Sequence, residues 1–81
     1  MNKKVYEKII EGRSDNNIDF NDFKNLLIAL GFVLDRQRGS HMIYRHCVTG
    51  ARLNVQPKGN KAKAYQVAEL RALLLGGQYE V

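Results

Sequence analysis

Apolar residues recur every three to four positions in three segments of the chain, which is the spacing of one helix face. The first segment, residues 5–10, predicts a short opening helix that ends near Gly12. The second begins after Asp19, a residue able to cap it, and ends where Gly31 can adopt the left-handed conformation. The third runs from Tyr65 to Leu75. The pattern therefore predicts three helices, two of them in the first half of the chain.

Between the second and third helices the pattern changes to short extended segments separated by glycine-containing turns. The predicted strands are residues 32–37, 40–47 and 51–56. Together they predict a three-stranded antiparallel meander. Pro57 cannot donate a hydrogen bond to a further strand, and residues 58–61 are expected to form an exposed loop.

The predicted order of elements is α-α-β-β-β-α, an α+β fold in which the helices pack on one face of the sheet. The other face would stay open to solvent or a ligand. A chain this short can support one core, so residues 1–81 are expected to form a single domain. Which face the helices cover is open, because two alternating sets in the middle strand both mix apolar with polar residues. These sets are Met42, Tyr44 and His46 against His41, Ile43 and Arg45.

Charge favours a polyanionic partner. Thirteen Lys and Arg residues against eight Asp and Glu give a net charge of +5, which suits phosphate contacts with nucleic acid. A basic surface that only aids solubility is the alternative.

Several site types are missing from the sequence. Cys47 is the only cysteine, so it allows neither an internal disulfide nor a cysteine-based metal site, and it is expected to pack as a small apolar residue. No carboxylate pair, metal-ligand cluster or nucleotide-binding glycine motif is present, so neither a metal nor a small-molecule cofactor is expected. No apolar run could span a membrane, and a reducing cytoplasm fits the cysteine usage.

The two histidines are the candidates for acid–base chemistry. An imidazole can take a proton from a ribose 2′-hydroxyl or give one to a leaving 5′-oxygen, which makes histidine suited to RNA cleavage without a metal. His41 and His46 lie five residues apart, so in a regular strand their side chains point to opposite faces. His41 follows the Gly39–Ser40 turn, where a phosphate could approach, and is favoured over His46. The alternative for both residues is a histidine that lies on a strand and takes part in no reaction.

Basic residues surround this turn and the loop before the last helix. The candidates for phosphate contacts are Arg38, Gly39, Ser40, Lys58, Lys61 and Lys63, with Arg36 as a further source of charge. Backbone N–H groups at the start of the last helix would add to such a site. A solvated turn is the alternative, and Tyr65 is expected to pack in the helix and not to stack on a base.

Four segments in this order resemble the HicA family of toxins. They are LGF at residues 30–32, RQRGSHMIY at 36–44, LNVQ at 53–56 and KAKAYQV at 61–67, within a match from about Asp19 to Leu74.

The resemblance implies a fold similar to the double-stranded-RNA-binding domain and a metal-independent ribonuclease that cleaves messenger RNA and blocks translation. His41 matches the catalytic histidine of the family. A HicB-like antitoxin that covers the active site, and a bacterial cytoplasm, are also implied. Two rivals remain: a non-catalytic double-stranded-RNA-binding module, and an interaction domain that pairs its sheet edge with a protein.

Overall fold

The computed structural model of the chain describes residues 2–77. Its helices are α1 (Asn2–Glu11), α2 (Phe20–Ala29) and α3 (Ala64–Leu75). Its strands are β1 (Phe32–Arg38), β2 (His41–His46), β3 (Arg52–Val55), β4 (Pro57–Lys58) and β5 (Lys61–Ala62). The predicted α+β fold, with its likeness to the double-stranded-RNA-binding domain, is confirmed: the helices and the main sheet follow the order α-α-β-β-β-α, and β4 and β5 add a separate two-stranded sheet before α3.

Strands β1, β2 and β3 form an antiparallel sheet in that order, as the meander predicts. The ladder between β1 and β2 is closed by the Arg38–His41 pair and shifts register between Leu34 and Arg36. The ladder between β2 and β3 is regular from Met42 opposite Val55 onwards. The helices pack together on one side, α2 against β1 and α3 against β3, and α1 contacts both of them.

The start of α2 follows the predicted capping chemistry. The carboxylate of Asp19 accepts a hydrogen bond from the backbone N–H of Asp22 at 3.1 Å, and the Asp19 carbonyl accepts one from Phe23 at 2.9 Å. The side-chain contact satisfies an N–H group that has no backbone partner within the helix, and the backbone contact is the first hydrogen bond of the helix.

The expected loop at residues 58–61 is instead a short hairpin, in which Pro57 pairs with Ala62 and Lys58 with Lys61. Pro57 is tolerated because this strand has two residues and no further strand that would need its donor. On the side away from β4, the hairpin is bonded to the residues before α2: the N–H of Ala62 donates to the Ile18 carbonyl at 2.8 Å. The N–H of Phe20 donates to the Asn60 carbonyl at 2.9 Å. The hairpin is therefore fixed to the start of α2, which the sequence pattern did not reveal.

One face of the sheet is buried by the helices. Its inward residues are Phe32, Tyr44, His46, Leu53 and Val55, each at most 5% exposed. Burial raises the pKa of the Tyr44 phenol above its ordinary value. The core also contains Ile9, Ile18, Phe20, Phe23, Leu26, Leu27, Leu30, Ala62, Val67, Leu70 and Leu74. The set Met42, Tyr44 and His46 therefore faces the helices, and the set beginning with His41 faces outward.

His46 links α2 to the turn between β2 and β3. Its Nδ1 accepts hydrogen bonds from the backbone N–H groups of Val48 at 3.2 Å and Thr49 at 3.1 Å. Because Nδ1 accepts, Nε2 carries the proton, and it donates to the Leu30 carbonyl at 2.8 Å. Its ring also packs against the Phe32 ring at close to a right angle, with centroids 5.0 Å apart. Both ring nitrogens are thus used for structure.

Gly31 is required where α2 turns into β1. Its φ of +99° lies in the region that glycine adopts without strain. A Cβ at this position would lie 2.9 Å from Nε2 of His46, closer than side chains tolerate. Its carbonyl accepts a hydrogen bond from Cys47 at 3.0 Å. The LGF segment is therefore shaped around the buried histidine.

The opening helix and the turn that follows it are attached to α3 by the side chain of Arg71. The Arg71 guanidinium contacts both carboxylate oxygens of Asp15, at 2.8 and 2.9 Å, and also donates to the Ile9 carbonyl at 3.2 Å. Hydrogen bonding to Asp15 raises the pKa of Arg71. This bidentate geometry fixes the turn after α1 against the last helix.

The expectation that Cys47 packs inside is wrong, because the residue is exposed. His46, its neighbour in sequence, takes the inward position at the end of β2, and the alternation of the strand leaves Cys47 outside.

We predict that Gly31→Ala destabilises the protein by about 2–4 kcal/mol, because it adds a clash with His46 to the cost of a left-handed alanine. Gly50→Ala is the matched control. Gly50 also has a positive φ, +76°, but a Cβ there would meet nothing within 4 Å. We therefore expect Gly50→Ala to lower the free energy of unfolding by about 1 kcal/mol. Urea unfolding of the three proteins measures both values, and equal losses would show that the approach to His46 has no energetic importance.

Candidate nucleic-acid interface

His41 lies at the tip of the β1–β2 hairpin, directly after the two-residue turn Gly39–Ser40. Gly39 has a φ of +60°, which suits the first position of this tight turn. The side-chain amide of Gln37 donates to the Gly39 carbonyl at 3.2 Å. Across the ladder His41 is paired with Arg38, so a cationic side chain lies next to the imidazole.

The orientation of His41 follows from the burial of β2. Tyr44 and His46 point inward, and an odd separation from His46 places His41 on the outward face, where it is exposed. Neither ring nitrogen of His41 is hydrogen-bonded to another group among residues 2–77. Both are thus available to a ligand, which distinguishes this histidine from His46.

The three lysines predicted for phosphate contacts lie around one cleft of about 790 Å³. The β4–β5 hairpin carries Lys58 and Lys61 as a directly facing pair, and Lys63 precedes α3 as its N-cap residue. The lining is completed by Asn16, Ala62, Ala64 and Tyr65. The cleft joins positive charge to the first turn of a helix, where backbone N–H groups point outward.

The expectation that Tyr65 packs within the helix is wrong. Its side chain is 61% exposed and lines the lysine cleft. Its neighbours Gln66 and Val67 take the buried positions of the first turn of α3. A ring in this position offers a flat surface to a base or sugar.

A buried glutamine connects the first turn of α3, beside the lysine cleft, to the residue that follows β3. The ladder between β2 and β3 ends with Met42 opposite Val55, so Gln56, which follows Val55, leaves β3 at the end of the sheet where His41 begins β2. The backbone N–H of Gln56 donates to Oε1 of Gln66 at 2.9 Å. Gln66 is 2% exposed, so this hydrogen bond holds the first turn of α3 at the same end of the sheet as His41.

The predicted residues thus form two neighbouring groups and not one pocket. Residues 38–41 form the hairpin tip, and the lysines form the cleft, whose lining does not include His41. Arg36 lies on the outward face and pairs with Ile43.

Two further observations bear on the kind of site. Among the described residues, no three His, Cys, Asp or Glu side chains are grouped so that they could hold a metal ion. Between residues 2 and 77, every helix is too short or too polar to cross a membrane.

Sequence reasoning missed the structural role of Gln66. The residue lies in a polar segment, KAKAYQV, and nothing in its spacing distinguishes a buried amide from an exposed one. Its partner is a backbone N–H ten positions away, a contact that only the fold reveals.

Comparison with known proteins gave one family. A family model described as the HicA toxin of bacterial toxin–antitoxin matches residues 20–73, more than half of the chain. No curated protein and no solved structure matched the chain.

Replacing the buried glutamine tests how the two groups are held together. Gln66→Leu leaves the N–H of Gln56 without an acceptor in a partly buried position, and we expect a loss of about 1–3 kcal/mol in the free energy of unfolding. Gln56→Ala is the control, because only its backbone takes part in the contact. Thermal and urea unfolding compare the two variants, and an equal effect would contradict the assigned role of the Gln66 side chain.

Proposed function

This chain belongs to the HicA toxin family of bacterial toxin–antitoxin systems, and from that premise we propose that it is an endoribonuclease that cleaves messenger RNA without a metal ion. We assign His41 as its catalytic residue. The observation that carries the proposal is the position of His41, exposed at the hairpin tip with both ring nitrogens available and Arg38 beside it.

The proposed reaction is an attack by a ribose 2′-hydroxyl on the adjacent phosphorus. A bond forms between O2′ and phosphorus, and the bond from phosphorus to O5′ breaks, giving a cyclic phosphate and a 5′-hydroxyl. His41 takes the proton from the 2′-hydroxyl, or gives one to the leaving 5′-oxygen, or does both in turn; where it makes only one of these transfers, solvent water makes the other. Where it makes both, the proton removed in the first half of the reaction returns in the second, so the residue ends unchanged.

Charged neighbours would stabilise the phosphate as negative charge builds up on it. Arg38 faces His41 across the ladder, and Ser40 and the Gly39 backbone lie in the turn between them. We assign Arg38, Gly39 and Ser40 to the reacting phosphate, where glycine lets the backbone approach closely. The lysines 58, 61 and 63 lie in the neighbouring cleft and would hold phosphates further along the RNA.

The proposed partner is a HicB-like antitoxin that covers His41. The exposure of the hairpin tip is consistent with a site that a second protein can block. We place the pair in the bacterial cytoplasm, where messenger RNA is translated.

The central prediction concerns His41→Ala. Removing the imidazole removes proton transfer, so cleavage of a long messenger RNA in EDTA should fall by about 10²–10⁴-fold. Gel analysis of the RNA measures it, and product ends carrying a cyclic phosphate would identify the reaction. Adding the HicB-like antitoxin should suppress the wild-type activity.

A structural control is needed for this variant. Circular dichroism should show that His41→Ala folds like the wild type, because the side chain is exposed and outside the core. Equal cleavage by both proteins would refute the assignment of His41. RNA binding by both without any cleavage would indicate the rival function, a double-stranded-RNA-binding module.

The lysine cleft gives a second prediction. Lys58→Gln combined with Lys61→Gln should weaken RNA binding and lower the slope of log affinity against log salt by about 1.4, since each lost phosphate contact changes it by about 0.7 for a single strand. Lys3→Gln with Lys4→Gln on α1 removes the same charge elsewhere and should change the slope far less. Fluorescence anisotropy at several salt concentrations makes the comparison. Equal slopes for the two double variants would remove the cleft from the binding surface.

A further inference from the structure

The outward face of the sheet carries more positive charge than the site described so far requires. Opposite the helices the strands present three cross-strand rows, given in the order β1, β2 and β3. The first row is Arg38 and His41, the second is Arg36, Ile43 and Asn54, and the third is Val33, Arg45 and Arg52. Four of the six arginines of the chain are thus on one face. We call this the arginine face.

Two of these arginines oppose each other directly. Arg45 on β2 is the cross-strand partner of Arg52 on β3. Directly facing side chains in a sheet have Cβ atoms about 4.5–5.5 Å apart, and like charges at this position destabilise the pair. The repulsion between the two guanidinium groups is relieved when an anion lies between them.

No side chain of the protein supplies that anion. None of the four arginines forms an ion pair among residues 2–77, where the ion pairs are those of Arg13 and Arg71. The three strands contain one acidic residue, Asp35, and it is the residue left without a partner at the register shift of β1. The positive charge of the face is therefore not neutralised from within the fold.

The chemistry of the face favours phosphates over bases. A guanidinium presents parallel N–H donors that match a phosphate in a bidentate contact. Apart from His41 at its end, the face has no aromatic side chain on which a base could stack, whereas the exposed Tyr65 is in the lysine cleft. The only apolar residues in the three rows are Val33 and Ile43, which is little apolar surface for a stable protein interface.

We propose that the arginine face binds the phosphate backbone of a single RNA strand and leads it to His41. The inference rests on the proposed function, since it places the substrate of that same site. Successive rows are two residues apart along β2, which is a spacing of about 6.6–6.8 Å. The positive charges therefore follow a line along the sheet that ends at His41. A single strand can follow that line and rotate its 2′-hydroxyl towards the phosphorus, whereas an A-form duplex holds this hydroxyl away from the line of attack.

The test uses the full chain with His41→Ala, so that RNA is bound and not consumed. The probe is a short fluorescent oligouridylate, which forms no duplex, and anisotropy is followed between about 0.05 and 0.2 M salt. Arg45→Gln with Arg52→Gln should weaken binding about ten- to a hundredfold and lower the salt slope by about 1.4. The control, Lys3→Gln with Arg13→Gln, removes the same charge from exposed positions outside the sheet and should change binding by less than about threefold.

A charge-preserving variant separates electrostatics from folding. Arg45→Lys with Arg52→Lys should keep the salt slope of the parent protein, because both charges remain. A slope lowered equally in the lysine and glutamine variants would overturn the proposal, since the effect would then come from altered structure. Binding weakened no more than in the control would also overturn it, and so would a need for the arginines in antitoxin binding alone.

Binding and cleavage are measured separately, so the two proposals can fail independently. If binding depends on the arginine face but the wild type never cuts RNA, the inference stands and the ribonuclease assignment fails. If the wild type cuts RNA but RNA binding does not depend on these arginines, the inference fails and the ribonuclease assignment stands.

Discussion

The hydrogen bonds of the buried His46 side chain hold the end of β2 against α2 and against the β2–β3 turn. One ring nitrogen donates to the last turn of α2 and the other accepts from two N–H groups of the β2–β3 turn. A polar ring so far inside the protein is stable only because both nitrogens have partners. This arrangement points His46 inward at the end of β2, and the alternation of side chains along the strand then points His41 outward. The accessible histidine thus depends on the buried one.

The same constraint explains the local sequence around α2. The Leu30 carbonyl receives the imidazole N–H, Gly31 leaves room for the ring, and Phe32 packs against it. Three consecutive residues therefore serve one buried contact. Because this contact joins the end of a helix to two strands, it also fixes the register on which the position of the outward face depends.

Positive charge is divided between two surfaces with different chemistry. Lysines occupy the cleft formed by a short hairpin and the first turn of α3, while arginines occupy the open face of the sheet. Lysine acts as a mobile point charge and arginine as a planar fork, so the two surfaces suit different contacts with a phosphate backbone. The Gln56–Gln66 hydrogen bond keeps the cleft at the end of the sheet where His41 lies. In the proposed ribonuclease this geometry allows both surfaces to hold one RNA chain.

The sequence by itself determined the features that depend on neighbouring residues. Helical spacing, the Asp19 cap and glycine turns predicted the three helices and the three-stranded meander found among residues 2–77. The odd separation of the histidines predicted that only one of them faces the helices. The tertiary structure decided which face is buried, because both alternating sets in β2 mix apolar with polar residues. It also decided the anchored lysine hairpin, the buried Gln66 amide and the facing arginines, since each of these depends on partners that are distant along the chain and become neighbours only through folding.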